Sequence, residues 1–457
     1  MSDVFLIDQI MRLNEYKDYV ARDYILPDGR ADYNSVDSAP ADNSLWTTLT
    51  SRNAILTYLI ILLAAIVLIM VLMIVRTGRD IKAREAEKKN RLKKKRFSRL
   101  AALDEAAEGW KKEKNKDKQT VTGPEALKQF CEDFRNFAAG TMGLYYDHRT
   151  IRAFVSSLSV TKLIILQGIS GTGKTSLPYA FGRFAGNDAV IVPVQPSWRD
   201  KTDMLGYYNE FTDSFTETEL LCKLYEANLR GGVYMTVLDE MNIARVEYYF
   251  AEFLSLLELP DPASRKIEVV SSRRDSDPAL LTDGKLLIPE NVWFAGTANN
   301  DDSTMAISDK VYDRAMVLEL SDRASPFTAP RVAPEPISAL KLEEMFRAAR
   351  SAYSLSDSAR LKIAKLDEFL TSRMRVTFGN RVMKQTEQFV PVYIAAGGTE
   401  NEAIDIILCK KVLRKLENQN PVYVSAGAKE LMETMDSLFG EDALPLCKAY
   451  VSGYVRN

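Results

Sequence analysis

One run in this 457-residue sequence has the residue types and spacing to grip a polyphosphate: Gly168-Ile169-Ser170-Gly171-Thr172-Gly173-Lys174-Thr175, followed by Ser176. Its glycines permit a loop whose backbone N–H groups converge on phosphate oxygens, and a helix opening behind it adds the positive end of its dipole. In this G-x-x-x-x-G-K-[ST] frame Lys174 neutralises the outer phosphates and the Thr175 hydroxyl coordinates Mg²⁺. The expected nucleotide-binding residues are therefore Gly168, Ser170, Gly171, Thr172, Gly173, Lys174, Thr175 and Ser176. Further on, the apolar run 233–238 ends in Asp239-Glu240. Asp239 is expected to join Thr175 in the Mg²⁺ shell and Glu240 to orient and polarise an attacking water. A third apolar run, 292–297, leads to Asn299 and Asn300. An amide there can hydrogen-bond the same water or the γ-phosphate, Asn299 being the favoured one. A glycine turn, an acidic strand end and a turn asparagine are each commonplace alone; their order along the chain gives them meaning.

Such groups converge only if strands deliver them to one edge. The pattern alternates suitably: strand 162–167, helix 174–184, strand 190–194, helix 217–229, strand 233–238, helix 245–259, strand 292–297, helix 304–313 and strand 315–320. Strands alternating with helices predict a parallel sheet covered on both faces. Two further helices, 125–138 and 147–158, precede it. Runs 266–270 and 285–288 are read as a hairpin whose mobile tip carries Arg273 and Arg274, a solvated loop being the alternative. After four prolines between 326 and 336 the chain reads as helical to its end.

Charge is uneven along the chain although the total is only −2. Residues 1–53 hold 5 basic and 9 acidic side chains, residues 54–75 hold none, and residues 76–118 hold 17 basic and 8 acidic. As a helix the uncharged stretch would span about 33 Å, against ~30 Å for a bilayer core. It is read as a transmembrane helix lying too far from Met1 for a cleaved signal peptide. The basic flank places the C-terminal side in the cytoplasm and residues 1–53 outside. That flank is expected to be an exposed, lipid-attracted helix or spacer. The four cysteines form no C-x-x-C pair, which excludes a zinc ribbon or disulfide scaffold. The single histidine, His148, excludes an H-E-x-x-H zinc site and is read as a surface or structural residue. No global basic field marks a dedicated nucleic-acid binder.

The three strand-end stations resemble those of the AAA+ ATPases. The detail is similar to the dynein-related branch that includes McrB and midasin: Phe154-Val-Ser-Ser-Leu, Val192-Pro-Val-Gln-Pro-Ser-Trp198, Asp203-Met-Leu-Gly-Tyr-Tyr208, Asp239-Glu-Met-Asn242, Ile288-Pro-Glu-Asn-Val292 and Ala298-Asn-Asn-Asp-Asp-Ser-Thr-Met-Ala-Ile307. It covers residues 145 to 322 well and the helical region only generally, and nothing in 1–118 matches a DNA-reading domain. The resemblance implies a P-loop NTPase core and helical lid assembled into a homo-oligomeric ring, usually a hexamer, with each site completed by a neighbour. It implies Arg314 as an arginine finger, although relatives often carry two or three consecutive arginines where this chain has Asp313-Arg314-Ala315. It also implies Arg381, in Phe378-Gly-Asn-Arg-Val-Met383, as a second, nucleotide-binding arginine.

The expected organisation is thus an extracytoplasmic segment (1–53), a single transmembrane helix (54–75), a basic helical linker (76–118), an α/β AAA+ core (119–325) and a helical lid (326–457). Expected cofactors are ATP, or GTP, with Mg²⁺. Expected partners are the membrane, copies of the chain and an unidentified protein, with nucleic acid not bound directly. A membrane-anchored motor that remodels a protein partner is the favoured function. Alternatives are a nucleotide-gated assembly scaffold with slow turnover and a McrB-like motor for a DNA-cleaving partner.

Overall fold

A computed structural model describes residues 52–93, 95–110, 123–299, 304–320 and 324–455. The segment 1–53, but for its last two residues, and the candidates Asn300 and Asp302 lie outside the described residues. The chain divides into two units, Met1–Lys89 and Asn90–Asn457.

Helix α1 (Arg52–Lys93) contains one stretch, Leu56–Ala83, long and apolar enough to cross a membrane, its most apolar 18 residues having a mean hydropathy of 3.3. None of that stretch is buried in the protein. Up to Val75 the stretch carries no charge, and an apolar surface of that length with no protein cover suits lipid rather than water.

The second unit opens with α2 (Arg99–Trp110), α3 (Pro124–Asn136) and α4 (His148–Leu158), then β1 (Leu163–Gln167), α5 (Ser176–Phe184) and β2 (Val190–Pro193). A short α6 (Thr202–Leu205) leads into β3 (Gly206–Asn209) and β4 (Ser214–Glu217), then α7 (Glu219–Leu229) and β5 (Tyr234–Asp239). Two pieces, α8 (Val246–Tyr249) and α9 (Ala251–Leu257), precede β6 (Lys266–Glu268), β7 (Lys285–Leu287), β8 (Val292–Ala298), α10 (Asp309–Tyr312) and β9 (Met316–Glu319). The remainder is helical: α11 (Ala339–Ala352), α12 (Asp357–Met374), α13 (Asn380–Ala395), α14 (Glu400–Ile407), α15 (Pro421–Phe439) and α16 (Pro445–Val455).

Five strands form one parallel sheet in the order β2-β5-β8-β1-β9. Every residue of β8 is buried, as expected for a strand covered on both faces. Alternate residues of β1 serve opposite cores: Ile164 and Leu166 pack with α3–α5 and the C-terminal helices, Leu163 and Ile165 with α7 to α9. Local chemistry sets the helix starts. The Asp147 carboxylate accepts from the Thr150 amide at 2.6 Å to open α4, and Thr399 with Glu402 forms a capping box on α14. His148 is structural as expected, pairing its Nδ1 with Glu132 at 3.0 Å.

Several features differ from the sequence reading. The helix expected at 304–313 shortens to α10, and 245–259 breaks into α8 and α9. A second hairpin, β3–β4, stands between β2 and α7. The basic linker does not run on as an exposed spacer either. Phe97 and Leu100 are buried in the same core as α7 and β5, because two apolar residues among the charges find a groove to fill. The expected hairpin β6–β7 is present, yet its connection is held rather than free: Arg274 Nη2 donates to Asp213 Oδ1 and to the Tyr208 hydroxyl, each at 2.8 Å.

Candidate nucleotide site

The loop 168–175 links the C-terminal end of β1 to α5, and its glycines are sterically required. Gly168 has φ +142°, and a Cβ there would lie 2.2 Å from the Leu320 carbonyl oxygen. Gly171 and Gly173 also have positive φ, of 81° and 91°. The Tyr146 hydroxyl donates to the Gly173 carbonyl at 3.0 Å, pinning the loop to the segment before α4. The Thr172 hydroxyl donates to the Ile169 carbonyl at 3.0 Å. Lys174 is largely buried, and its ammonium donates to the carbonyls of Gly168 at 2.9 Å and Ile169 at 2.7 Å. Ser170 and Gly171 are exposed at the loop's crest, and Ser176 begins α5.

Neighbouring strand ends close on this loop. The Thr175 hydroxyl donates to Asp239 Oδ1 at 2.7 Å, joining the loop to the end of β5. Sequence reasoning missed Thr297, on the strand between β5 and β1. Its hydroxyl donates to the same Asp239 oxygen at 2.9 Å and accepts from the Glu240 amide at 2.8 Å. The only signal was a hydroxyl two residues before Asn299, in a strand where threonine is an ordinary occupant. Glu240 itself is exposed and left-handed, at φ +52°. For a non-glycine residue this costs of order 1–3 kcal/mol and is seen where surroundings hold it. Here the Thr297 hydroxyl holds its amide and the Ile243 amide donates to its carbonyl at 2.9 Å. Asn299 follows β8 at the same edge, and its carbonyl accepts from Asn242 Nδ2 at 2.9 Å. The Asn242 Oδ1 atom is buried without a partner.

Thr175 and Asp239 together are a hydroxyl and a carboxylate, hard oxygen donors of the kind that suit Mg²⁺ when water and phosphate complete its shell. The residues fit the ion. Beside Thr172 a cavity of about 360 Å³ opens between Tyr146, Arg149, Glu319, Ile406 and Lys410. Two ion pairs of opposite polarity cross it to the C-terminal helices: Arg149 to Asp405 at 3.0 Å, and Glu319 to Lys410.

Over 222 residues the sequence is 24% identical to the Type IV methyl-directed restriction enzyme EcoKMcrB subunit of Escherichia coli K12. The chain is thus similar to an McrB subunit. The match covers 47% of this chain and 46% of that relative, so the chain spans about half the length of the protein it resembles. No family model matches the sequence. Among solved structures, a provisionally assigned ATPase from Cytophaga hutchinsonii is 11% identical, with a TM-score of 0.45 over 74% of this chain and 98% of that one. A full-length MCM homologue from Methanopyrus kandleri is 10% identical, with a TM-score of 0.34 over 68% of this chain and 60% of that one.

The two arginines of the McrB-like reading are not brought to this loop. Arg314 directly precedes β9, which runs parallel to β1, so it stands at the sheet edge opposite the loop. There Arg314 Nε meets Glu258 Oε2 at 2.6 Å while Arg381 Nη2, from the first turn of α13, meets Glu258 Oε1 at 2.7 Å. They border a cavity of about 1420 Å³ also lined by Lys162, Arg230 and Lys384. Arg381 therefore does not serve the nucleotide loop of its own chain. Burial lowers the Lys162 ammonium pKa to about 7; its Nζ lies 3.5 Å from the Trp293 ring centroid and donates to the Glu290 carbonyl at 2.6 Å.

The segment around Arg314 is held from the C-terminal helical region. Lys411 Nζ donates to the carbonyls of Tyr312 at 2.7 Å, Asp313 at 3.3 Å and Ala315 at 2.5 Å. Gln385 Nε2 adds a bond of 3.3 Å to the Asp313 carbonyl.

Proposed function

We propose that this protein is a membrane-anchored AAA+ nucleoside-triphosphatase that turns ATP or GTP hydrolysis into remodelling of a protein partner or assembly. The observation carrying this reading is the junction of Thr175, Asp239 and Thr297, which ties the phosphate loop to the strand edge from which Glu240 projects. Lys174 exchanges its two carbonyl partners for the outer phosphates, where a desolvated ammonium offsets their charge. Thr175 and Asp239 would hold Mg²⁺, which when bound supplies charge neutralisation at the phosphoryl oxygens. Glu240, fixed through its backbone, presents its carboxylate to orient water and take up its proton. The cavity beside Thr172 receives base and ribose, and the two ion pairs across it give the lid a hinge that responds to their presence.

Arg314 and Arg381 share an edge away from their own loop, which supports action on a neighbouring copy in a homo-oligomeric ring. The exposed apolar stretch in α1 supports the membrane anchor, with the AAA+ module on the cytoplasmic side. A motor for a DNA-cleaving partner is the second reading, favoured by the match to a restriction-enzyme subunit.

The test is hydrolysis of ATP and GTP by the full chain in detergent, with Lys174→Ala and Glu240→Gln beside it. Lys174→Ala is expected to lose nucleotide binding. Glu240→Gln is expected to bind normally and lose turnover. Equal binding and turnover in wild type and Lys174→Ala would end this reading. A scaffold would instead keep its cellular activity in the Glu240→Gln variant.

A further inference from the structure

The segment following α1 is fastened to the AAA+ body far more firmly than a tether requires. The Arg96 guanidinium makes a two-pronged bond to Asp277, Nε at 2.8 Å and Nη2 at 2.7 Å, with the side chains 3% and 0% exposed. It also donates to the Ser272 carbonyl. The Arg96 carbonyl accepts from the Phe215 amide at 2.8 Å, and Phe97 stacks on the Phe215 ring at 4.8 Å. The Glu217 carboxylate then accepts from the amides of Ser98, Arg99 and Leu100 at 2.9, 2.9 and 2.8 Å, capping α2 from another element. Asp104 accepts from the Tyr225 hydroxyl at 2.6 Å and from the Ala279 amide at 2.9 Å. One stretch is thus bonded to β3–β4 through Phe215 and Glu217, and to the β6–β7 connection through Ser272, Asp277 and Ala279.

Desolvating an arginine and an aspartate is costly, and its best-attested use is to fix one register where several would otherwise do. A spacer has no such need. The hairpins gripped here are also joined to the nucleotide edge. The Thr218 hydroxyl, just after β4, donates to the Met204 carbonyl at 2.6 Å. Trp198 meets Tyr249 edge-on at 5.4 Å, and the Tyr249 hydroxyl donates at 2.8 Å to the carbonyl of Met241, the residue after Glu240.

We propose that Arg96–Trp110 is a transmission element, making the two hairpins and this segment move as one body. The state of the nucleotide site at Asp239–Glu240 is thereby delivered to the segment that follows α1 in the chain. This rests on the nucleotide site proposed above, whose own failure is read out separately.

The test uses the full chain in detergent micelles with Mg²⁺ and ATP, GTP or a non-hydrolysable analogue. Hydrogen exchange at residues 96–110, hydrolysis and binding of a fluorescent nucleotide are measured on the same samples. In the wild type, nucleotide is expected to change exchange at 96–110 at least threefold. Ser98→Asp, which sets a second carboxylate against Glu217, and Arg96→Ala are expected to abolish that response. Both should alter hydrolysis at least threefold while nucleotide affinity stays within twofold. Where Arg96→Ala unfolds the body, Ser98→Asp, at an exposed position, decides. Wild type that binds nucleotide yet shows the same exchange with and without it overturns the proposal and leaves the nucleotide site standing. A loosened variant that keeps the wild-type response and rate overturns it too. Absence of nucleotide binding in the wild type removes both.

Discussion

Thr297→Val isolates the contribution of one hydroxyl to the candidate site. The residue is 2% exposed, and valine keeps its volume and branching, so packing on either side of β8 is preserved. Two bonds are lost: the one donated to Asp239 at 2.9 Å and the one accepted from the Glu240 amide at 2.8 Å. A hydrogen bond to a charged group is worth about 1.5–3 kcal/mol, and the part-buried Glu240 amide left without a partner costs up to about 1 kcal/mol, the low end of the penalty for a fully buried one. A combined effect of about 3 kcal/mol follows when these overlap in part. Spent wholly on hydrolysis it would lower turnover on the order of 100-fold. Some of it relaxes instead into the left-handed turn at Glu240, so a fall of roughly 10- to 100-fold in kcat is expected, with a lower thermal midpoint. Nucleotide affinity should stay within about threefold, since the loop and Lys174 are untouched. Thr297→Ser keeps both bonds and should restore most of the rate. The assay is steady-state hydrolysis with fluorescent-nucleotide binding and a melting curve for each variant. Wild-type turnover and stability in Thr297→Val would refute the reasoning, because among the described residues no other side chain is bonded to the Glu240 amide.

Mixing Arg314→Ala chains with Lys174→Ala chains, each inactive alone, should recover part of the hydrolysis, because one supplies the arginine and the other an intact loop; no recovery would argue against action between copies. Lys162→Met should flatten the dependence of stability on pH. The folded ammonium loses its proton near pH 7, pushed down by burial, whereas the unfolded lysine holds it to about pH 10.4. The unfolded chain binds more protons in that window, so wild-type stability rises with pH across it, and the Met variant should show a smaller rise in melting point from pH 7 to 9. The full chain should stay with membranes after alkaline carbonate extraction, and a chain lacking residues 54–75 should not. Recovery of the full chain in the soluble fraction would remove the membrane reading.

Local chemistry was the most legible part of the sequence. The loop 168–175 is set by glycine geometry and one lysine within eight positions, and Asp239 and Glu240 follow a strand whose burial is written in its apolar run. Pairings across distance were less so. Thr297 looks like any β-branched strand residue until β8 is known to lie between β5 and β1. Phe97 and Leu100 sit among so many charges that their composition reads as a solvated helix, and only the groove beside β3–β4 gives them a destination. The same limit applies to Arg381: its motif places it in the C-terminal helical region, but only the common carboxylate of Glu258 places it beside Arg314.

Because Lys411 grasps the backbone on either side of Arg314, a shift of the C-terminal helices would pull on that guanidinium as well as on the sheet it adjoins. In a closed circle of copies, each subunit would then show its neighbour how far its own jaw has shut. Under the ring proposed above, firing order would then follow from geometry, carried by the side chains of Lys411 and Gln385.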